Sequence, residues 1–249
     1  MTTILVPYHQ DERLSDDNIP IFPDLTVDVA TRTGDIWQRV TSVCASTAAA
    51  VEPVVRDGGM PVVFSGDCLI ADGTVAGVQR AGVDPAVVWF DAHGDVHTLE
   101  TSTSGYPGGL SVRLLTGAHA DLYAGSFGLT PLPPGRAVLV DARDLDPAEA
   151  EYLRTGETRR IAVAEVSPES VPPGPLVIHI DLDVIDPAGL PGLRFPAPGG
   201  PPAEEVREAC ARLIATGRVV ALDVAAPWHP AANPQEQEAR RRLLASLVF

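Results

Sequence analysis

A chain of 249 residues with 45% apolar content can bury one substantial core, and 33 acidic against 18 basic side chains leave a formal charge of −15. That balance excludes a basic patch for nucleic acid or an anionic membrane, and it suits a cationic partner or a metal. Three widely spaced cysteines give no disulfide framework, no apolar run approaches membrane-spanning length, and the start lacks a basic n-region, so one cytoplasmic domain over 1–249 is expected.

Residues 3–7 read as a first short strand, and the polar, proline-punctuated stretch up to Asp28 reads as a loop with His9 exposed. Over 35–55, Ile36, Val40, Val43, Cys44, Ala48 and Val51 recur at three- and four-residue spacing. That period predicts an amphipathic helix with Cys44 in the core, ended by Asp57-Gly58-Gly59. Residues 61–65 form the next strand, with Gly66-Asp67-Cys68 at its carboxyl end and a helix over 72–81. Residues 87–90 read as a buried parallel strand running into Asp91-Ala92-His93-Gly94-Asp95. The polar, glycine-rich stretch 97–109 has the composition of a substrate loop, and His119 reads as surface.

Another strand covers 137–141. Asp146-Pro147 with Glu149 is a common helix N-terminus, proline in the first turn and acids complementing the dipole. Residues 176–180 are again a buried strand, running into Asp181-Leu182-Asp183 and then Asp186-Pro187. A proline-rich connection, a helix over 202–216 with Cys210 in the core, a last strand at 218–223 and a closing helix over 235–247 complete an α/β pattern with a mostly parallel sheet. The run Arg240 to Arg242 reads as a solvated helix face.

The two acidic stretches are about ninety residues apart and each begins where a strand ends, which is where open α/β sheets place their ligands. Extended backbone aims Asp91, His93 and Asp95 to one side, and Asp181 with Asp183 likewise. Any one of these aspartates alone reads as a cap or loop carboxylate. Four carboxylates and an imidazole converging without nearby Lys or Arg call for a divalent cation, or for two sharing bridging carboxylates.

These stretches resemble the ureohydrolase family, the arginases and agmatinases, whose motifs are Gly-Gly-Asp-His, Asp-Ala-His-x-Asp and Asp-x-Asp-x-x-Asp-Pro. Here Ser65-Gly66-Asp67-Cys68, Asp91 to Asp95 and Asp181 to Pro187 occur in the same order, and the likeness runs from about Val62 to Ala225. The resemblance implies a three-layer α/β/α, arginase-like fold and a pair of Mn2+ ions. One ion would take Cys68, Asp91, Asp95 and Asp181; the other would take His93, Asp91, Asp181 and Asp183. Cys68 stands where the family has a histidine ligand. By itself it reads as a small buried hydrophobe, yet a thiolate is a competent ligand.

Further along, Ser104 matches a contact to the substrate carboxylate, and Arg143-Asp144-Leu145-Asp146-Pro147-Ala148-Glu149 resembles the element that grips the substrate α-ammonium. Tyr106 replaces an Asn, and Gly108 falls where the family has its proton-shuttling His. Asp95 and His97 are then the expected carriers of the catalytic proton, although His97 reads equally as a solvated loop residue. Ala225-Ala226-Pro227-Trp228-His229 stands where the family has a Glu that pairs with the guanidinium; Trp228 and His229 could shape the pocket, with Asp223 behind.

A permanently cationic guanidinium wants a carboxylate partner, whereas an N-hydroxyguanidine is less basic and can bind neutral. The expected reaction is therefore hydrolysis of Nω-hydroxy-L-arginine to L-ornithine and hydroxyurea, as in the branch of the family that serves antibiotic (D-cycloserine) biosynthesis. The alternatives are another guanidino- or formimino-acid hydrolase, or a metal-binding regulatory protein that has lost catalysis. The partner is a small-molecule amino acid, and monomer and trimer both stay open.

Overall fold

The computed structural model describes residues 1–29 and 33–248. The chain runs through β1 (Thr2–Val6), a small antiparallel hairpin of β2 (Tyr8–His9) and β3 (Glu12–Arg13), β4 (Leu25–Thr26) and the long helix α1 (Ile36–Arg56). It continues with β5 (Pro61–Ser65), α2 (Ile70–Arg80), β6 (Ala86–Asp91), the short α3 (Ser111–Leu115), β7 (Ala137–Asp141), α4 (Pro147–Arg154) and β8 (Arg159–Ile161). Last come β9 (Leu176–Asp181), α5 (Ala203–Ile214), β10 (Val219–Ala225) and α6 (Pro234–Ser246).

Eight of these strands form one sheet in the order β4-β1-β5-β10-β9-β6-β7-β8, and every pairing in it is parallel. Helices cover both faces, so the inner strands are apolar almost throughout. Val63, Val87, Trp89, Val177 and Ala221 point into the layer holding α1 and α2; Val62, Phe64, Val88, Phe90, Ile178, Ile180 and Val224 point into the layer holding α5 and α6. This is the three-layer α/β/α architecture. Cys44 and Cys210 lie in the two cores, one on each side.

Local chemistry sets the helix ends. Asp35 accepts from the Gln38 backbone at 2.9 Å while the Gln38 side chain accepts from the Asp35 backbone at 3.0 Å, a reciprocal cap that starts α1. Helices α1 and α2 then approach closely because α2 presents glycines: a Cβ on Gly73 would stand 2.7 Å from the Cys44 carbonyl, and one on Gly77 would stand 2.6 Å from Val51 Cβ.

Three local expectations change. The stretch up to Asp28 is not wholly loop, since β2, β3 and β4 lie in it, and His9 is 8% exposed rather than solvated. Strands of two residues carry no period that a sequence could reveal. Arg240 is buried rather than solvated: its guanidinium stacks 4.7 Å over the Trp228 ring and donates to the His229 carbonyl at 2.7 Å. Trp228 is thereby committed to the α6 side of the sheet and His229 is exposed, so neither shapes the cavity described below. Among the described residues, no helix is long and apolar enough to cross a membrane.

Candidate metal centre

Three central strands, β5, β9 and β6, with β10 between the first two, deliver the cluster residues to one place. Asp91 ends β6 and Asp181 ends β9, both on the α1/α2 side; Cys68 follows β5, and Asp183 sits in a single 3-10 turn (Leu182–Val184) after β9. Between them β10 ends in Ala225, whose small side chain leaves Cys68 free to reach across to β9. The Cys68 Sγ stands 2.9 Å from Asp181 Oδ2 and 3.7 Å from Asp91 Oδ2. His93 Nδ1 is 3.0 Å from Asp183 Oδ2 and 3.4 Å from Asp91 Oδ1.

Backbone and side-chain donors fix the carboxylates in place. Trp89 Nε1 donates to Asp91 Oδ2 at 3.1 Å, the His93 amide to Asp91 Oδ1 at 2.7 Å, the Ala92 amide to Asp183 Oδ1 at 3.1 Å and the Asp183 amide to Asp181 Oδ1 at 2.9 Å. Arg143 donates to the carbonyls of Asp183 and Val184, each at 3.1 Å, and so holds the turn itself. Asp95 occupies the left-handed region at φ 53°, which aspartate tolerates better than most residues. Its Oδ2 is buried with no hydrogen-bond partner among the described residues.

The electrostatics express a shortage of positive charge. Burial, then the charges of Asp183 and Asp91, pushes the Asp181 carboxyl well above its usual range. Burial and Asp91 do the same to Asp95 and bring Asp183 to about 6. Burial, with Asp181, Asp95 and Asp91 behind it, pushes the Cys68 thiol up. Burial would likewise raise Asp91, but His93 outweighs it and Asp91 moves down. For His93 itself burial is opposed by the hydrogen bonds to Asp183 and Asp91, and its imidazole is pushed up to about 12. One imidazolium cannot neutralise four buried carboxylates, still less a thiolate beside them. Divalent cations can.

The donor set fits such ions. Cys68, Asp91 and His179 offer ligand atoms within 4.8 Å of one another, as do Asp91, His93 and Asp183, and the unpartnered Asp95 oxygen adds a further donor. The cluster forms the floor of a cavity of about 200 Å3. Among the described residues, no Lys or Arg lines it.

The expected substrate residues stand on the cavity wall. His97 is buried, its Nδ1 3.1 Å from Thr101 Oγ1 and its Nε2 3.1 Å from Asp146 Oδ2 and 3.9 Å from Glu149 Oε2. It is not the solvated loop residue of the alternative reading. Asp146 keeps a largely exposed carboxylate, whereas buried Glu149 accepts from the Asp146 amide at 3.0 Å and the Val96 amide at 3.3 Å, which caps α4. The helix-cap reading of this element therefore holds, and the Asp146 carboxylate stays open at the cavity. Ser104 is exposed at the mouth, where its hydroxyl accepts from the Tyr106 amide at 3.1 Å.

Three residues at the site carried no role in the sequence reading. Tyr106 donates to Asp67 Oδ2 at 2.7 Å, and His9 Nδ1 lies 3.0 Å from the same oxygen. His179, two residues before Asp181, lies beneath the cluster. A histidine interrupting an otherwise apolar strand was the available signal for His179; His9 had none.

The model of the Arginase family matches residues 7–248. The chain belongs to the arginase family. An arginase of Eremothecium gossypii is 32% identical over 193 residues, covering 70% of this chain, and the match spans about half (48%) of that protein's length. The Nω-hydroxy-L-arginine amidinohydrolase of Streptomyces lavendulae is 32% identical over 202 residues, 80% of this chain and 71% of that protein. The crystal structure of arginase from Bacillus cereus superposes with a TM-score of 0.81 at 24% identity, covering 98% of this chain and 95% of that one. The eight-stranded sheet is thus the arginase-family fold.

Proposed function

We propose that this arginase-family chain is a metal-dependent amidinohydrolase that cleaves the guanidino C–N bond of Nω-hydroxy-L-arginine, giving L-ornithine and hydroxyurea, with 1–249 acting as one catalytic domain. The observation that carries the reading is a cavity floored by four buried carboxylates while residues 225 and 226, where a guanidinium would need its own carboxylate, are buried alanines. An uncompensated cation entering beside two metal ions is costly; a neutral hydroxyguanidine is not. The similarity to the Streptomyces lavendulae enzyme supports the same choice.

Cys68, Asp91, Asp95 and Asp181 would hold one Mn2+, and His93, Asp91, Asp181 and Asp183 the other, with Asp91 and Asp181 shared. When bound, the two ions supply Lewis acidity and make water acidic near neutral pH. With the unpartnered Oδ2 of Asp95 given to the ion, its other carboxylate oxygen would orient the attacking water and take its proton. As the new C–O bond forms and the C–N bond to the ornithine side chain breaks, the leaving nitrogen needs a proton. His97, held between Thr101 and Asp146 at the cavity wall, would deliver it. Asp146 binds the α-ammonium through its open carboxylate, Glu149 holds Asp146 in position, and Ser104 meets the α-carboxylate at the mouth.

The test compares specificity constants for Nω-hydroxy-L-arginine and L-arginine under identical manganese loading, with products identified. The expected preference for the hydroxylated substrate is at least about tenfold, the ratio that about 1.4 kcal/mol supplies. A second reading, hydrolysis of another guanidino or formimino acid, draws on the arginase-named relatives. Urea from arginine, or formamide from a formimino acid, as the dominant product would replace the first reading with the second.

A further inference from the structure

Beneath the carboxylates, the same face of the sheet carries a row of side chains that the two proposed ligand sets leave out. His179 on β9 is fully buried and shares its face with Asp181 two residues on. Trp89 on β6 and Asp223 on β10 stand opposite it on the flanking strands. The imidazole is held from both sides. Its ring lies 3.9 Å from that of Trp89, centroid to centroid, and its Nδ1 is 2.9 Å from Asp223 Oδ1, while Asp223 Oδ2 accepts from Thr74 Oγ1 at 2.7 Å.

A carboxylate beside Nδ1 makes that nitrogen the N–H donor and leaves the lone pair on Nε2. Among the described residues, Nε2 has no hydrogen-bond partner, although it is enclosed. Leaving a buried polar atom unmet is costly, so its retention asks for a partner that the described residues do not supply. A ring nitrogen of His179, Cys68 Sγ and an Asp91 oxygen lie within 4.8 Å of one another, and with Nδ1 engaged by Asp223, Nε2 is the nitrogen left to serve. Donors at about 2.0–2.3 Å from one zinc-sized ion stand at most about 4.6 Å apart, so little closure is needed. An imidazole whose other nitrogen donates to a carboxylate is the usual setting of a metal-bound histidine.

We propose that His179 Nε2 is a direct metal ligand, joining Cys68 and Asp91 in a thiolate–imidazole–carboxylate half-site that prefers a softer divalent cation than the His93–Asp183 half-site beside it. The inference rests on the metal-centre reading above. It makes the centre asymmetric: sulfur and nitrogen donors on the Cys68 side favour Zn2+ or Co2+, and oxygen donors with a single imidazole on the other side favour Mn2+. Asp223 is then a positioning residue. It fixes the tautomer and orientation of the ligand without touching the ion.

Cobalt-loaded protein tests this directly. Thiolate-to-cobalt absorption reports occupancy of the Cys68 half-site, and proton NMR counts the strongly hyperfine-shifted, exchangeable imidazole N–H resonances. Two such resonances are expected in the wild type, from His93 and His179. The His179→Gln variant should lose one of them and bind cobalt more weakly at the thiolate half-site, and Asp223→Asn should weaken that half-site about 10–100-fold. A wild type that shows the thiolate band with only one shifted imidazole resonance overturns the inference and leaves the two-ion centre standing. If His179→Gln does not fold, the wild-type count decides alone. A wild type that takes up no cobalt at all contradicts the metal-centre reading itself.

Discussion

A Cβ added at Gly108 would stand 2.3 Å from Tyr106 Cε1 and 2.6 Å from the Tyr106 hydroxyl, so the tyrosine ring fills the space that any side chain at 108 would need. The two departures from the family pattern are therefore one change. The ring is anchored by its bond to Asp67 and packs against Phe195 at 5.0 Å between centroids, so it cannot swing aside without loss. Gly108→His alone should overpack the site and cost about 1–3 kcal/mol of stability, and adding Tyr106→Asn should recover most of it. Denaturant midpoints of the single and double variants check this; equal stability for both would mean that the ring yields. Cys68 carries a second prediction at this scale. Cys68→His should retain metal binding, Cys68→Ala should weaken it, and alkylation of the wild-type thiol should be blocked by metal loading. Full reactivity in the loaded protein would show that the sulfur is not coordinated.

Among the elements, α2 contributes an unusual buried group. Asp72 is fully enclosed between α1 and the sheet, and neither of its oxygens has a hydrogen-bond partner among the described residues. Burial pushes its carboxyl well above the usual carboxylate range, so the native protein keeps it neutral at pH values where the unfolded chain has already released the proton. The native state then binds more protons than the unfolded one. Stability is fully present below the unfolded value of about 3.9 and is lost as pH rises through the raised native value. Asp72→Asn removes this dependence and should be increasingly favoured over the wild type toward alkaline pH. Urea midpoints across a pH series measure it, and parallel curves for the two proteins would refute it.

The long elements were legible because their periods were strong: α1 by its three- and four-residue spacing, and β6 and β9 by unbroken apolar runs. Strands β4 and β8, of two and three residues, were not, since pairing with β1 and β7 rather than local pattern creates them. Lateral order was invisible for the same reason. That is why His179 could not be placed against Trp89 and Asp223 until the sheet was in view.

At the scale of the whole molecule, a parallel sheet brings the ends of β5, β6 and β9 to one edge, and those ends were written into the sequence as Asp67-Cys68, Asp91 to Asp95 and Asp181 to Asp183. What the sequence could not reveal was closure: Cys68 reaching Asp181 across 113 positions of chain, or His97 meeting Asp146 over 49. A net charge of −15 on the chain adds no local counter-charge to a cavity lined by acids. The claim on which the rest depends is that this buried cluster exists to hold two cations. Elemental analysis of protein equilibrated with manganese and freed of loose ions measures it most directly. The account predicts two ions per chain, one after Asp183→Ala and close to none after Asp91→Ala, because Asp91 is shared. A wild-type protein that retains one ion or none would contradict it.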